Sequence, residues 1–126
     1  MKKFFVILMF LITVTLANAQ PTIHKIDQCS ILDKTGSWTE WIPVDLIIKF
    51  DYESQRIVIN TEPFQIFDFS SMEKMSVEEG EIFHIVATDT KYEMCELDLL
   101  ITESNFAYFK IKYPKLEYMY RIVFTE

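Results

Sequence analysis

Apolar and polar residues alternate with a period of two along most of the chain. In "DLIIKFDY", Leu46, Ile48, Phe50 and Tyr52 fall on one face, with Ile47, Lys49 and Asp51 on the other. After the turn "ESQ", the run "RIVIN" points Ile57 and Ile59 the same way. Successive side chains of an extended chain leave on opposite faces, so this rhythm predicts half-buried strands. "EPFQIFDFS" changes phase: Phe64 and Ile66 share one face, Phe67 and Phe69 the other, which predicts a bulge or bend near Ile66. "SSMEKMSVEEGE" breaks the rhythm. Ser70 and Glu73 fit a capping box and Gly80 fits a helix end, so residues 70–80 read as a loop or one short helix.

Strands then resume. "EIFHIVATD" and "YEMCELDLLIT" are joined through Asp89, Thr90 and Lys91. "FAYFKIKY" follows a turn at Glu103, Ser104 and Asn105, and "EYMYRIVFT" follows Pro114 and Lys115. In the last of these, Tyr118, Tyr120, Ile122 and Phe124 share a face. The count is about seven strands, and a short one around Thr22 to Ile26 adds an eighth. Short turns between consecutive strands predict an antiparallel meander. A single sheet of this width leaves an apolar face bare, so an all-β fold is expected, closed into a small barrel or folded into a two-sheet sandwich.

Outside this pattern lies the start of the chain, "MKKFFVILMFLITVTLANAQ". Lys2 and Lys3 precede an apolar run from Phe4 to Leu16, and Ala17-Asn18-Ala19 forms a small-x-small cleavage site. Together they predict a secretory signal peptide over residues 1–19, cleaved on export to the periplasm or beyond. The run is shorter than the roughly 20 residues of a membrane-spanning helix. The expected division is signal peptide 1–19, an amino-terminal extension 20–37, and a single β domain 38–126.

Export changes the charge. The 126-residue chain carries −7, and removing Lys2 and Lys3 without any acid leaves −9. An acidic surface repels nucleic acid and anionic lipid and favours a basic protein partner. Export also changes the reading of the two cysteines. Cys29 and Cys95 in an oxidising compartment predict a disulfide, against the alternative of two separate buried thiols.

Candidate chemistry is sparse. No G-x-S-x-G elbow occurs. His24 and His84 are isolated, and two cysteines with two histidines complete no zinc site. The carboxylates Asp45, Asp68 and Asp89 are the residues a small hydrolase would use, but their spacing singles out no pair. Glu78, Glu79 and Glu81 could offer oxygens to calcium, yet lack the order of a known loop and read as a solvated acidic turn. No cofactor is expected. The positive signal is aromatic: both tryptophans, Trp38 and Trp41, stand in "SWTEWIPVD". In an extended segment their offset of three places them on opposite faces, one closing the core and one on the surface. In a turn they share a side. They are the candidate binding residues.

The block "WTEWIPVDLIIKFDYESQRIVIN" resembles small exported proteins of Bacteroidota that open with W-[ST]-x-W-x-P-x-D. The matching positions are Trp38, Trp41, Pro43, Asp45, Asp51, Arg56, Ile57 and Ile59. Phe67-Asp68, Cys95 and the closing strand Tyr118 to Phe124 also fit, while the middle loop is richer in Met and Glu than the pattern. The resemblance implies an exported β domain and adds no activity. The expected function is non-catalytic: a protein-interaction module, with a lipocalin-like carrier of a small apolar ligand, or a small hydrolase, as alternatives.

Overall fold

A computed structural model describes residues 21–124. The predicted leader over 1–19 lies outside the described residues. Eight antiparallel strands follow in order: β1 (Thr22–Ile31), β2 (Ile42–Asp51), β3 (Arg56–Ile59), β4 (Gln65–Val77), β5 (Gly80–Thr88), β6 (Met94–Thr102), β7 (Phe106–Tyr113) and β8 (Leu116–Val123). Each strand pairs with the next, and β8 returns to β1 to close a barrel. The expectation of an all-β meander therefore holds, and closure is by barrel rather than by sandwich. Closure removes the row of unpaired amides at the two ends of an open sheet.

The amino-terminal stretch is part of this closure. β1 pairs with β2 from Thr22–Phe50 to Cys29–Ile42, and with β8 from Lys25–Val123 to Ile31–Tyr118. The expected amino-terminal extension 20–37 therefore carries a barrel strand, Thr22–Ile31. Its alternation is hidden because the register shifts between Ile26 and Gln28, which turns both Ile26 and Cys29 toward the interior.

The second correction concerns residues 70–80, which form strand around a two-residue turn at Glu78 and Glu79 rather than a helix or a loop. β4 runs unbroken for thirteen residues and pairs with β5 as far as Val77–Gly80. Cross-strand hydrogen bonds to β5 outweigh the weak local capping signal. The phase change lies between Phe69 and Ser71, further along than Ile66. Gly80 ends the hairpin at φ +155°, where an added Cβ would overlap the Ile101 carbonyl oxygen, so only glycine fits.

Inward-facing side chains of all eight strands form one hydrophobic core. Phe67, Phe109, Ile26, Ile48, Ile57, Ile59, Ile85, Leu97, Ile111 and Ile122 are fully buried. Phe50 meets Phe109 edge to face with ring centroids 6.0 Å apart. Each such side chain contributes roughly 1.5–3 kcal/mol on leaving water. Cross-strand polar pairs line the outer face. Arg56 Nε donates to Asp68 Oδ1 at 2.7 Å, and His84 Nδ1 lies 2.6 Å from Asp98 Oδ1. Arg121 grips Asp27 through two hydrogen bonds of 3.0 and 2.7 Å, with its guanidinium 4.0 Å above the Phe106 ring. Arg121 holds the Asp27 carboxyl below its ordinary value, against the effect of burial.

Candidate functional site

Alternating strand direction gathers the segments 32–41, 60–64, 89–93 and 114–115 at one end of the barrel. An open cavity of about 730 Å³ lies there, walled by residues 61–67, by the segment after β5, and by the β7–β8 turn. Its geometry follows from three local devices.

The first is a clasp across the barrel. Gln65 is the first residue of β4, in phase with the inward Phe67 and Phe69. Tyr118 Oη donates to Gln65 Oε1 at 2.6 Å, and Gln65 Nε2 donates to Tyr120 Oη at 2.8 Å. Gln65 Nε2 also reaches Thr61 Oγ1 at 3.2 Å, and Thr61 Oγ1 donates to the Pro63 carbonyl at 2.9 Å. These bonds tie β4 to β8 above the packed core. Burial raises the Tyr118 phenol well above its ordinary value, reinforced by Tyr120 and by both thiols.

The second device is the turn after β5. Asp89 Oδ1 accepts from the amides of Lys91 and Glu93, each at 2.9 Å, an Asp-based turn that carries Tyr92 through φ +63°. Asp89 Oδ2 accepts from Tyr113 Oη at 2.8 Å, tying β5 to the end of β7. Burial opposes the charge of Asp89, but the Glu93 amide, the Tyr113 hydroxyl, the Lys91 amide and the Lys91 ammonium together hold its carboxyl below the usual value.

The third device is the split between floor and rim. Thr61, Gln65, Ile66, Asp89, Tyr113 and Tyr118 are half-buried and Phe67 is buried. Phe64, at 60% exposure, and Leu116, at 49%, stand on the rim with Pro63 and Pro114. The cup thus has a polar floor over the core and an apolar wall open to water.

Cys29 and Cys95 are free thiols, which overturns the predicted disulfide. They sit on β1 and β6, which are not neighbours in the barrel, and both act electrostatically on the Tyr118 phenol. Burial pushes the Cys95 thiol up to about 11, with the Tyr113 hydroxyl pulling the other way.

Trp38 and Trp41 lie outside the cup and are equally exposed, at 39% each, so neither plugs the core. They belong to the β1–β2 connection, whose backbone is fixed by Asp33. Its Oδ1 accepts from the amides of Thr35 and Ser37 at 2.9 and 3.0 Å and from the Thr35 hydroxyl. The connection folds against the outside of the barrel. Ser30 Oγ donates to the Thr39 carbonyl at 2.7 Å, and the Trp41 ring lies 6.0 Å from Tyr108.

Of the three carboxylates, Asp45 pairs with Lys25 at 3.9 Å and Asp68 with Arg56, while Asp89 accepts from Tyr113 in the cup floor. Glu78, Glu79 and Glu81 stand at the opposite end, around the β4–β5 turn. Among the described residues no group of three His, Cys, Asp or Glu side chains is arranged to hold a metal ion.

Pattern reading missed Gln65, Tyr113 and Asp89 as partners. One signal was visible: a glutamine at an inward-phase position ahead of Phe67 and Phe69, where an apolar residue is the rule. Compared with known families, curated proteins and solved structures, the chain matches none.

Proposed function

We propose that this protein is an exported binding protein, without catalysis of its own, that takes a small amphipathic molecule in the cup at the mouth of the barrel. The observation that carries this is the cup itself: about 730 Å³, with Phe64 and Leu116 exposed on its rim and a hydrogen-bonded floor of Gln65, Tyr118, Tyr113 and Asp89. Sites for small molecules are concave and mainly apolar, with a few fixed polar groups. The proposed ligand sits at the mouth, above the side chains of the barrel core. Two large apolar side chains left in water are costly in isolation and useful against a ligand. Native mass spectrometry of protein purified from its own source, followed by titration with an apolar fluorescent probe, tests the reading. A retained or bound small molecule is expected. Phe64→Ala with Leu116→Ala should weaken it about tenfold or more, since each removes part of the roughly 1.5–3 kcal/mol that burying such a side chain supplies. Affinity unchanged in that double variant would locate the ligand elsewhere and sink the proposal.

A second reading is supported by the tryptophan-bearing connection. Trp38 and Trp41 are exposed on a backbone already fixed by Asp33, and the net charge of the chain is −7. Ordered aromatics of this kind are common anchors in protein interfaces, and the acidity suits a basic partner. Capture experiments at low and high salt should yield a salt-sensitive partner that Trp41→Ala releases. A partner indifferent to both salt and Trp41 would count against it.

A further inference from the structure

The floor of the cup has spent its side-chain donors. The Tyr118 hydroxyl proton goes to Gln65 Oε1, and the Tyr113 hydroxyl proton to Asp89 Oδ2. Both protons of the Gln65 amide go to Tyr120 Oη and Thr61 Oγ1, and that of Thr61 goes to the Pro63 carbonyl. A phenol oxygen, an amide oxygen and a carboxylate all keep further acceptor lone pairs after these bonds are made. What the floor shows a ligand is therefore a row of acceptors, one of them a carboxylate. The ammonium groups of Lys91 and Lys115 belong to the exposed rim rather than to the floor.

The geometry points to a ligand that enters the cup head first with a hydrogen-bond donor, a hydroxyl or an ammonium, carried on an apolar body, and to the exclusion of ligands whose head is a carboxylate. This rests on the cup being the binding site. An acceptor-only anion placed on this floor gains no side-chain hydrogen bond and meets the charge of Asp89. An alcohol donates to Tyr118 or Asp89, and an ammonium adds attraction to Asp89. The body then lies against Ile66, Phe64 and Leu116.

Three probes with one tail separate these cases: decanol, decylamine and decanoate, each titrated below its micelle concentration at neutral pH against the intact protein. The shared tail cancels the apolar contribution. Decylamine and decanol are expected to bind at least about tenfold tighter than decanoate, the difference made by about one hydrogen bond to a charged group. Asp89→Asn should remove most of the margin of the amine over the alcohol. Tyr118→Phe, which keeps the ring and removes its hydroxyl oxygen, should weaken decanol several-fold and serves where Asp89→Asn does not fold. Decanoate binding as tightly as decanol would overturn the donor-head inference while leaving the cup as the site. So would an amine margin untouched in folded Asp89→Asn. Failure of all three probes to bind would overturn the inference and the small-molecule reading together.

Discussion

Cys29 and Cys95 show how far a single residue can be read without its neighbours. An exported setting and an even count both argue for a bridge, but the two thiols stand free in the fold. Two free thiols have a direct chemical consequence. Denatured, unreduced protein should take up two equivalents of an alkylating reagent, and reductant should leave its melting temperature unchanged. Uptake of none would show a bridge. Burial also gives Cys95 a signature in alkali. Its folded value of about 11 stands above the unfolded 9.0, so the folded state prefers the neutral thiol. That preference stabilises fully below pH 9.0 and is lost as pH rises toward about 11. Tyr118 and Tyr113, raised by burial, push in the same direction. Denaturant midpoints measured across this range should fall, and Cys95→Ala should shallow the fall. A slope identical in the two proteins would assign the loss to groups other than Cys95, the buried tyrosines and Cys29 among them. Gln65 marks the other limit of legibility. The clasp it makes joins positions 53 and 55 residues away, which no local pattern signals.

Among the elements, the β4–β5 hairpin was the least legible. Its serines, methionines and glutamates favour no strand, and only its partner β5 makes it one. The strands with clear alternation, such as "DLIIKFDY" and "EYMYRIVFT", were legible because one face of each must meet the core. The hairpin's turn offers a sharp test. Gly80→Ala should cost about 2–3 kcal/mol or more, since it combines a disfavoured φ with overlap on backbone that cannot yield. Gly36→Ala meets nothing within 4 Å of its new Cβ and carries only the strain of φ +86°, about 1 kcal/mol. Chemical denaturation of both variants checks the order. Equal losses would mean that the hairpin adapts at Ile101.

At the level of the whole molecule, closure is the property that alternation alone could not choose. A count of seven or eight strands permits barrel or sandwich equally, and the shift at Ile26 and Gln28 hides how far the expected Thr22 to Ile26 strand runs. The barrel is therefore cooperative through β1. Ile26 is fully buried between β2 and β8, so Ile26→Ala should cost about 2–5 kcal/mol. A chain beginning at Trp38 should lose cooperative unfolding altogether, as followed by near-ultraviolet circular dichroism. A truncated chain that still melts in one sharp transition would return residues 20–37 to the status of an appendage.

The brevity of β3 reaches further than its four residues suggest. It covers β4 only from Gln65 to Asp68 and β2 only from Ile48 to Asp51. The described ladder therefore holds Ser71–Val77 through β5 alone. Deuterium should enter this longest strand in a two-beat rhythm, with amides turned toward β5 retaining their protons and alternate amides losing them within the first moments of exchange. The barrel wall would then carry a seam that is open to solvent on one side while the core beside it stays dry.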